Sequence, residues 1–121
     1  MLYKREETFR YEFQPPLTCT FNIIKINGEE IESNQGQGKI QDISPSGLKL
    51  MSMLDLQVTR NEIDVEVYFT MLSDWVVRGR VVWQKVANMN EYYYGIDLST
   101  DIGESEDMIN GLKEYIRQEN D

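Results

Sequence analysis

Between residues 63 and 84 the chain alternates apolar and polar side chains with a period of two, and this alternation restricts its fold more than any other feature. Ile63, Val65, Val67 and Phe69 interleave with Asp64, Glu66, Tyr68 and Thr70. Successive side chains of a strand point to opposite faces, so the segment reads as a strand with one buried face. Leu72-Ser73-Asp74 reads as a turn, and residues 75–84 form a second, longer strand. Its alternation sets Val77, Gly79, Val81 and Trp83 on one side and Val76, Arg78, Arg80 and Val82 on the other.

Four further strands are expected around this pair. Residues 17–26 are rich in Thr, Phe and Ile, which suit a pleated surface, and Asn27-Gly28 ends them in a turn. A polar hairpin loop is expected at 29–38, then strands at 39–43 and 48–51 separated by Ser44-Pro45-Ser46-Gly47. Residues 53–62 read as irregular, and the sixth strand falls at 92–98. The first fifteen residues carry little periodicity and run into Pro15-Pro16, which stops regular structure. The expected division is therefore an N-terminal segment at 1–16 and a folded body at 17–121. Near residue 104 the period changes to that of a helix. Met108, Ile109, Leu112, Tyr115 and Ile116 make one apolar stripe, with Ser105 as the expected N-cap. Six strands and a terminal helix fit a small antiparallel barrel or sandwich with the helix packed across it.

Composition narrows the chemistry. At 121 residues the chain is one domain. It has no histidine and a single cysteine, Cys19, which excludes imidazole acid–base catalysis, His-activated nucleophiles, an internal disulfide and most zinc sites. Cys19 reads as a small strand residue. No apolar run approaches the roughly 20 residues of a membrane-spanning helix, and the N-terminus has no apolar stretch after its basic residues, so a cytoplasmic location is expected. A net charge of −9 argues against DNA, RNA or an anionic membrane surface as partner. The charge is uneven: residues 101–121 hold seven acidic and two basic side chains, whereas residues 1–10 hold three basic and two acidic ones. An anionic ligand is therefore expected near the N-terminus. The carboxylate pairs Glu29/Glu30 and Asp64/Glu66 lie in a turn and on a solvent face, so no catalytic centre and no metal are expected.

The stretch Asp42-Ile43-Ser44-Pro45-Ser46-Gly47 carries the most information. Pro fixes φ and Gly accepts positive φ, so it suits a tight turn. Asp42 and Ser44 are two apart, and on an extended chain they project from one face. A carboxylate and a hydroxyl there suit the N–H edge of a purine. The same pair would equally serve as caps for backbone groups of a hairpin turn.

The order of motifs resembles the PilZ domain, a bacterial receptor family for cyclic di-GMP. That family pairs an N-terminal Arg-x-x-x-Arg with a later Asp/Asn-x-Ser-x-x-Gly, followed by a Gly-x-Val-x-Trp strand, an aromatic-Gly strand and a terminal helix. Asp42-x-Ser44-x-x-Gly47 matches the second motif, while Gly79-x-Val81-x-Trp83 and Tyr94-Gly95 resemble the later strands. The first motif departs: Arg10 stands for the second arginine, but Glu6 occupies the position four residues earlier and Arg5 lies one further back. The resemblance implies a six-stranded antiparallel PilZ-type β-barrel with a C-terminal α-helix. It also implies a non-catalytic cyclic di-GMP receptor without cofactor, signalling to a protein partner. Arg5 and Arg10 would grip phosphate and guanine, with Asp42, Ser44 and Gly47 shaping the floor. The alternative is a degenerate domain that binds no nucleotide and works as a protein-interaction adaptor. It would use Tyr92, Tyr93, Tyr94 or Trp75, with at least one of the three tyrosines in the core.

Overall fold

The computed structural model describes residues 10–98 and the helix at 102–119, with side chains from residue 107 onward in that helix. In chain order the elements are β1 Tyr11–Ile26, β2 Glu29–Glu30, β3 Gly36–Ser44, β4 Gly47–Ser52, β5 Ile63–Met71, β6 Ser73–Asn88, β7 Glu91–Leu98 and α1 Ile102–Glu119. Six strands close into an antiparallel ring in the order β1-β3-β4-β7-β6-β5, and β5 returns to pair with β1. The two-residue β2 is appended to the far end of β1. Closure satisfies strand edges that an open sheet would leave unpaired.

The alternation at 63–69 is the inner wall. Ile63, Val65, Val67 and Phe69 are all buried, with Val65 opposite Gly79 and Val67 opposite Val77. Cys19, Phe21, Ile40, Ile43, Leu50 and Tyr94 fill the rest of the barrel. Burial pushes the Cys19 thiol up to about 12, so it sits in the core as an inert hydrophobe. Tyr94 is fully buried, yet its hydroxyl accepts the Leu56 N–H at 3.0 Å and donates to the Leu54 carbonyl. Those two bonds fasten the irregular segment at 53–62 to the barrel. Gln84 adds to the fastening by accepting from Val58 N–H at 3.0 Å and donating to Asp55 at 2.8 Å.

The structure differs from the sequence reading at four places. First, β1 does not stop at Pro15-Pro16. Its pairing with β3 runs through Tyr11↔Ile43 and Glu12↔Asp42, breaks, and resumes at Leu17↔Ile40. The prolines, which lack N–H donors, fall inside this irregularity, where the ladder asks nothing of them. Second, the polar stretch at 29–38 is not all loop, because β3 already begins at Gly36, opposite Phe21. Third, α1 begins at Ile102, so Ser105 lies in its first turn rather than at its cap. Fourth, the register of β6 on β7 shifts between Val81 and Trp83, which turns Trp83 out of the barrel and leaves it 42% exposed.

The helix stripe packs as its period requires. Met108 and Leu112 are buried, and Ile109, Tyr115 and Ile116 pack against the core from its edge. Phe13 meets Tyr115 edge to face at 6.0 Å, so the N-terminal part of β1 and α1 hold each other. Gly111 allows the Trp75 indole to approach the helix closely. A Cβ there would lie 2.4 Å from Cζ2 of Trp75, whose indole N–H donates to the Met71 carbonyl at 3.3 Å. Ala would help the helix by about 1 kcal/mol, but overpacking typically costs about 1–3 kcal/mol. Gly111→Ala is therefore expected to lower the melting temperature by about 4 °C, a net loss of about 1 kcal/mol. A thermal melt showing a gain would mean that the indole yields freely. No helix among the described residues is long and apolar enough to cross a membrane.

Candidate functional site

The hairpin β3–β4 builds one side of the site. Ser44 and Gly47 are Cα partners across a two-residue tip, and the Leu98 N–H reaches the Ser46 carbonyl at 2.9 Å to tie that tip to β7. Ser44 is fully buried, and its hydroxyl donates to the Gly47 carbonyl at 3.3 Å. Asp42, by contrast, keeps its side chain 17% exposed and forms an ion pair with Arg10. The two residues therefore do not share an accessible face: Ser44 holds the turn and Asp42 meets solvent. The register Glu12↔Asp42 explains why Arg10 arrives there, since carrying β1 past the prolines delivers its first residues alongside the end of β3. An exposed ion pair contributes about 0–1 kcal/mol, so this one orients the guanidinium more than it stabilises the fold. Arg5 and Glu6 lie outside the described residues.

Arg10 and Asp42 sit at the rim of a pocket of about 630 Å³ on the outer barrel wall. Its floor is Gly47 on β4 and Gly95 on β7, its far wall is Val82 and Trp83 on β6, and Lys49 and Asp97 complete it. A Cβ on Gly95 would lie 2.0 Å from the Trp83 Nε1, so only glycine lets the indole lie across β7. The site thus combines an exposed aromatic face, a floor bare of side chains, two cations and two carboxylates.

Two other concave surfaces carry less chemistry for an anion. A groove of about 810 Å³ between β1, the β5–β6 hairpin and α1 is lined by Pro15, Trp75 and Tyr115, with Asp74 and Glu119 as its charged groups. A hollow of about 770 Å³ on the β5–β6 wall holds Lys25, Arg78 and Arg80, but four carboxylates, Glu30, Asp64, Glu66 and Asp97, line it with them. Both arginines already face carboxylates, Arg78 with Glu66 at 2.6 Å and Arg80 with Asp64 at 2.8 Å.

Lys49, Trp83, Gly95 and Asp97 were not among the site residues expected from the sequence. Strict alternation along β6 puts Trp83 inside, and a mid-strand register shift leaves no local mark in the residues. Gly95 was the available signal, because a glycine inside a strand often marks a close approach. The aromatic residues expected to offer an adaptor surface are engaged. Tyr94 is core, Tyr92 and Trp75 are partly buried against it, and Tyr93 lies under Lys49 with Nζ 4.3 Å from its ring centroid. Among the described residues no group of His, Cys, Asp and Glu side chains could hold a metal ion.

A closed antiparallel barrel with a packed C-terminal helix, and with an aspartate from one hairpin meeting an arginine at the N-terminal approach, defines a small β-barrel binding domain. The chain belongs to the PilZ domain family, whose model matches residues 4–118. PilZ domains are a known receptor family for cyclic di-GMP and are generally non-catalytic binding domains. No curated protein and no solved structure matches the chain significantly.

Proposed function

We propose that this chain is a non-catalytic receptor for cyclic di-GMP that binds the ligand at the Arg10–Asp42 pocket. The observation that carries the reading is the ion pair between Arg10 and Asp42, which joins the N-terminal arginine motif to the Asp-x-Ser-x-x-Gly motif at one place. Guanidinium offers planar paired donors to a phosphodiester or to the acceptor edge of guanine, and Asp42 accepts from its N–H edge. Gly47 leaves the floor open, Ser44 fixes the turn that presents it, and Trp83 supplies a face for base stacking. Arg5 acts as an auxiliary cation, one residue out of register. A bound ligand changes the surface that this pocket presents, and that change is what a partner protein reads.

Stacking of a base on an aromatic ring is worth about 1–3 kcal/mol. Titration with cyclic di-GMP, excited on the red edge of tryptophan absorption, is expected to quench fluorescence saturably. In Trp83→Phe, where Trp75 is the remaining indole, most of that quench is expected to disappear. Equal quenching in both proteins would remove Trp83 from the site.

A second reading has its own observation. Met53, Val86 and Met89 are 69%, 68% and 94% exposed at one end of the barrel, where Ser52, Tyr92 and Val86 are neighbours across β4, β7 and β6. Such a surface suits an adaptor that contacts another protein, and it is compatible with a receptor that does so when liganded.

A further inference from the structure

Arg10 and Lys49 are the two cations of the pocket, and they are not equivalent. Arg10 is already committed to Asp42, so that pair is close to neutral. Lys49 stands between Asp42 on β3 and Gly95 on β7 in the strand register, which plants its stem on the glycine floor facing Trp83. Its ammonium rests over the Tyr93 ring at 4.3 Å, and among the described residues no carboxylate pairs with it. An aromatic face holds a cation without using up its N–H donors, and an exposed contact of this kind is weak enough to release. Position 6, four residues before Arg10, carries Glu rather than a cation.

We propose that Lys49 supplies the second phosphate contact of this receptor, from the sheet side, in place of the arginine whose position Glu6 occupies. The inference rests on the receptor reading above. A phosphodiester entering over Gly47 and Gly95 meets Arg10 at the rim and Lys49 on the floor. Two points of positive charge then match the two phosphates of a cyclic dinucleotide. Tyr93, two residues along β7 from Gly95 and outside the pocket lining, is the positioning residue: its ring parks the ammonium beside the glycine floor, from which a phosphate draws it in. Lys49 therefore ranks above Arg5 in its contribution to binding.

The test is calorimetric titration of cyclic di-GMP into wild type, Lys49→Ala, Lys49→Arg and Arg5→Ala, at low and high salt, with a thermal melt of each. Lys49→Ala is expected to weaken binding roughly tenfold, the size of one charge-assisted contact, and Arg5→Ala by less. Lys49→Arg is expected to stay within roughly threefold, because it keeps the charge. Lys49→Ala should also flatten the salt dependence, since one attraction that salt screens has gone. Binding by wild type with Lys49→Ala within roughly twofold of it overturns the inference and leaves the receptor reading intact. Equal losses in Lys49→Ala and Lys49→Arg with lowered melting temperatures overturn it as well, because the role is then structural. Absence of binding by wild type removes the receptor reading and this inference together.

Discussion

Arg10→Ala is expected to weaken cyclic di-GMP binding by roughly ten- to a hundredfold while leaving the protein almost as stable as wild type. The affinity loss follows from removing a charge-assisted contact, about 1.5–3 kcal/mol. The stability effect is small because the Arg10 side chain is 53% exposed and an ion pair in that setting contributes about 0–1 kcal/mol. The two readouts therefore separate. Calorimetry at one fixed salt concentration reports the loss of ligand, and a thermal melt reports the fold. A large drop in melting temperature would mean that Arg10 holds β1 onto β3 and that any binding defect is indirect. Unchanged affinity would show that the ligand does not use the rim where Arg10 meets Asp42.

Leu112→Ala is the substitution expected to damage the fold most. Leu112 is fully buried between α1 and the barrel, next to Met108. Large-to-small changes at such sites cost about 2–5 kcal/mol, the lost transfer energy plus the cavity left behind. The helix has little stability of its own to draw on. Gly111 lowers its propensity, so α1 depends on its packed stripe. The denaturant midpoint should fall accordingly, with a shift in the emission of Trp75, whose ring lies under Gly111. A loss below about 1 kcal/mol would mean that the helix is a loosely attached appendage rather than part of the core.

Much of the fold was legible because burial imposes periodicity. Ile63 through Phe69 had to alternate to line the barrel, and Met108, Leu112 and Ile116 had to recur at helical spacing to cover it. The Asp42 to Gly47 turn was legible from Ser44-Pro45-Ser46-Gly47, although Gly47 does not take the positive φ expected of it and is instead crowded by the Ile96 carbonyl oxygen, 3.0 Å from where a Cβ would lie. The misreadings share a physical origin. A strand crosses Pro15-Pro16 because a register break exempts both prolines from the ladder, and Trp83 leaves the core because of another break after Val81. Such breaks are set by pairing with a distant strand, so neighbouring residues do not announce them. The candidate site was legible only as a linear motif. Asp42 and Gly47 line the pocket, whereas Ser44 is hidden behind them, and Lys49, Trp83 and Gly95 join through strand neighbours far apart in sequence.

The same geometry gives the glycines a role that composition alone conceals. Gly95 is in a strand, where glycine is unfavourable, because the Trp83 indole occupies the space of its missing side chain. Gly111 is in a helix for the parallel reason, with Trp75 in place of Trp83. Each tryptophan of the chain thus rests on a glycine, one at the candidate ligand pocket and one at the helix dock.

Calorimetric titration of the wild-type protein with cyclic di-GMP, alongside Arg10→Ala, tests the central claim most directly. The expected result is saturable binding by wild type and binding at least tenfold weaker by the variant, at matched melting temperatures. No heat of binding from a folded wild-type protein, across concentrations up to the millimolar range, would contradict it.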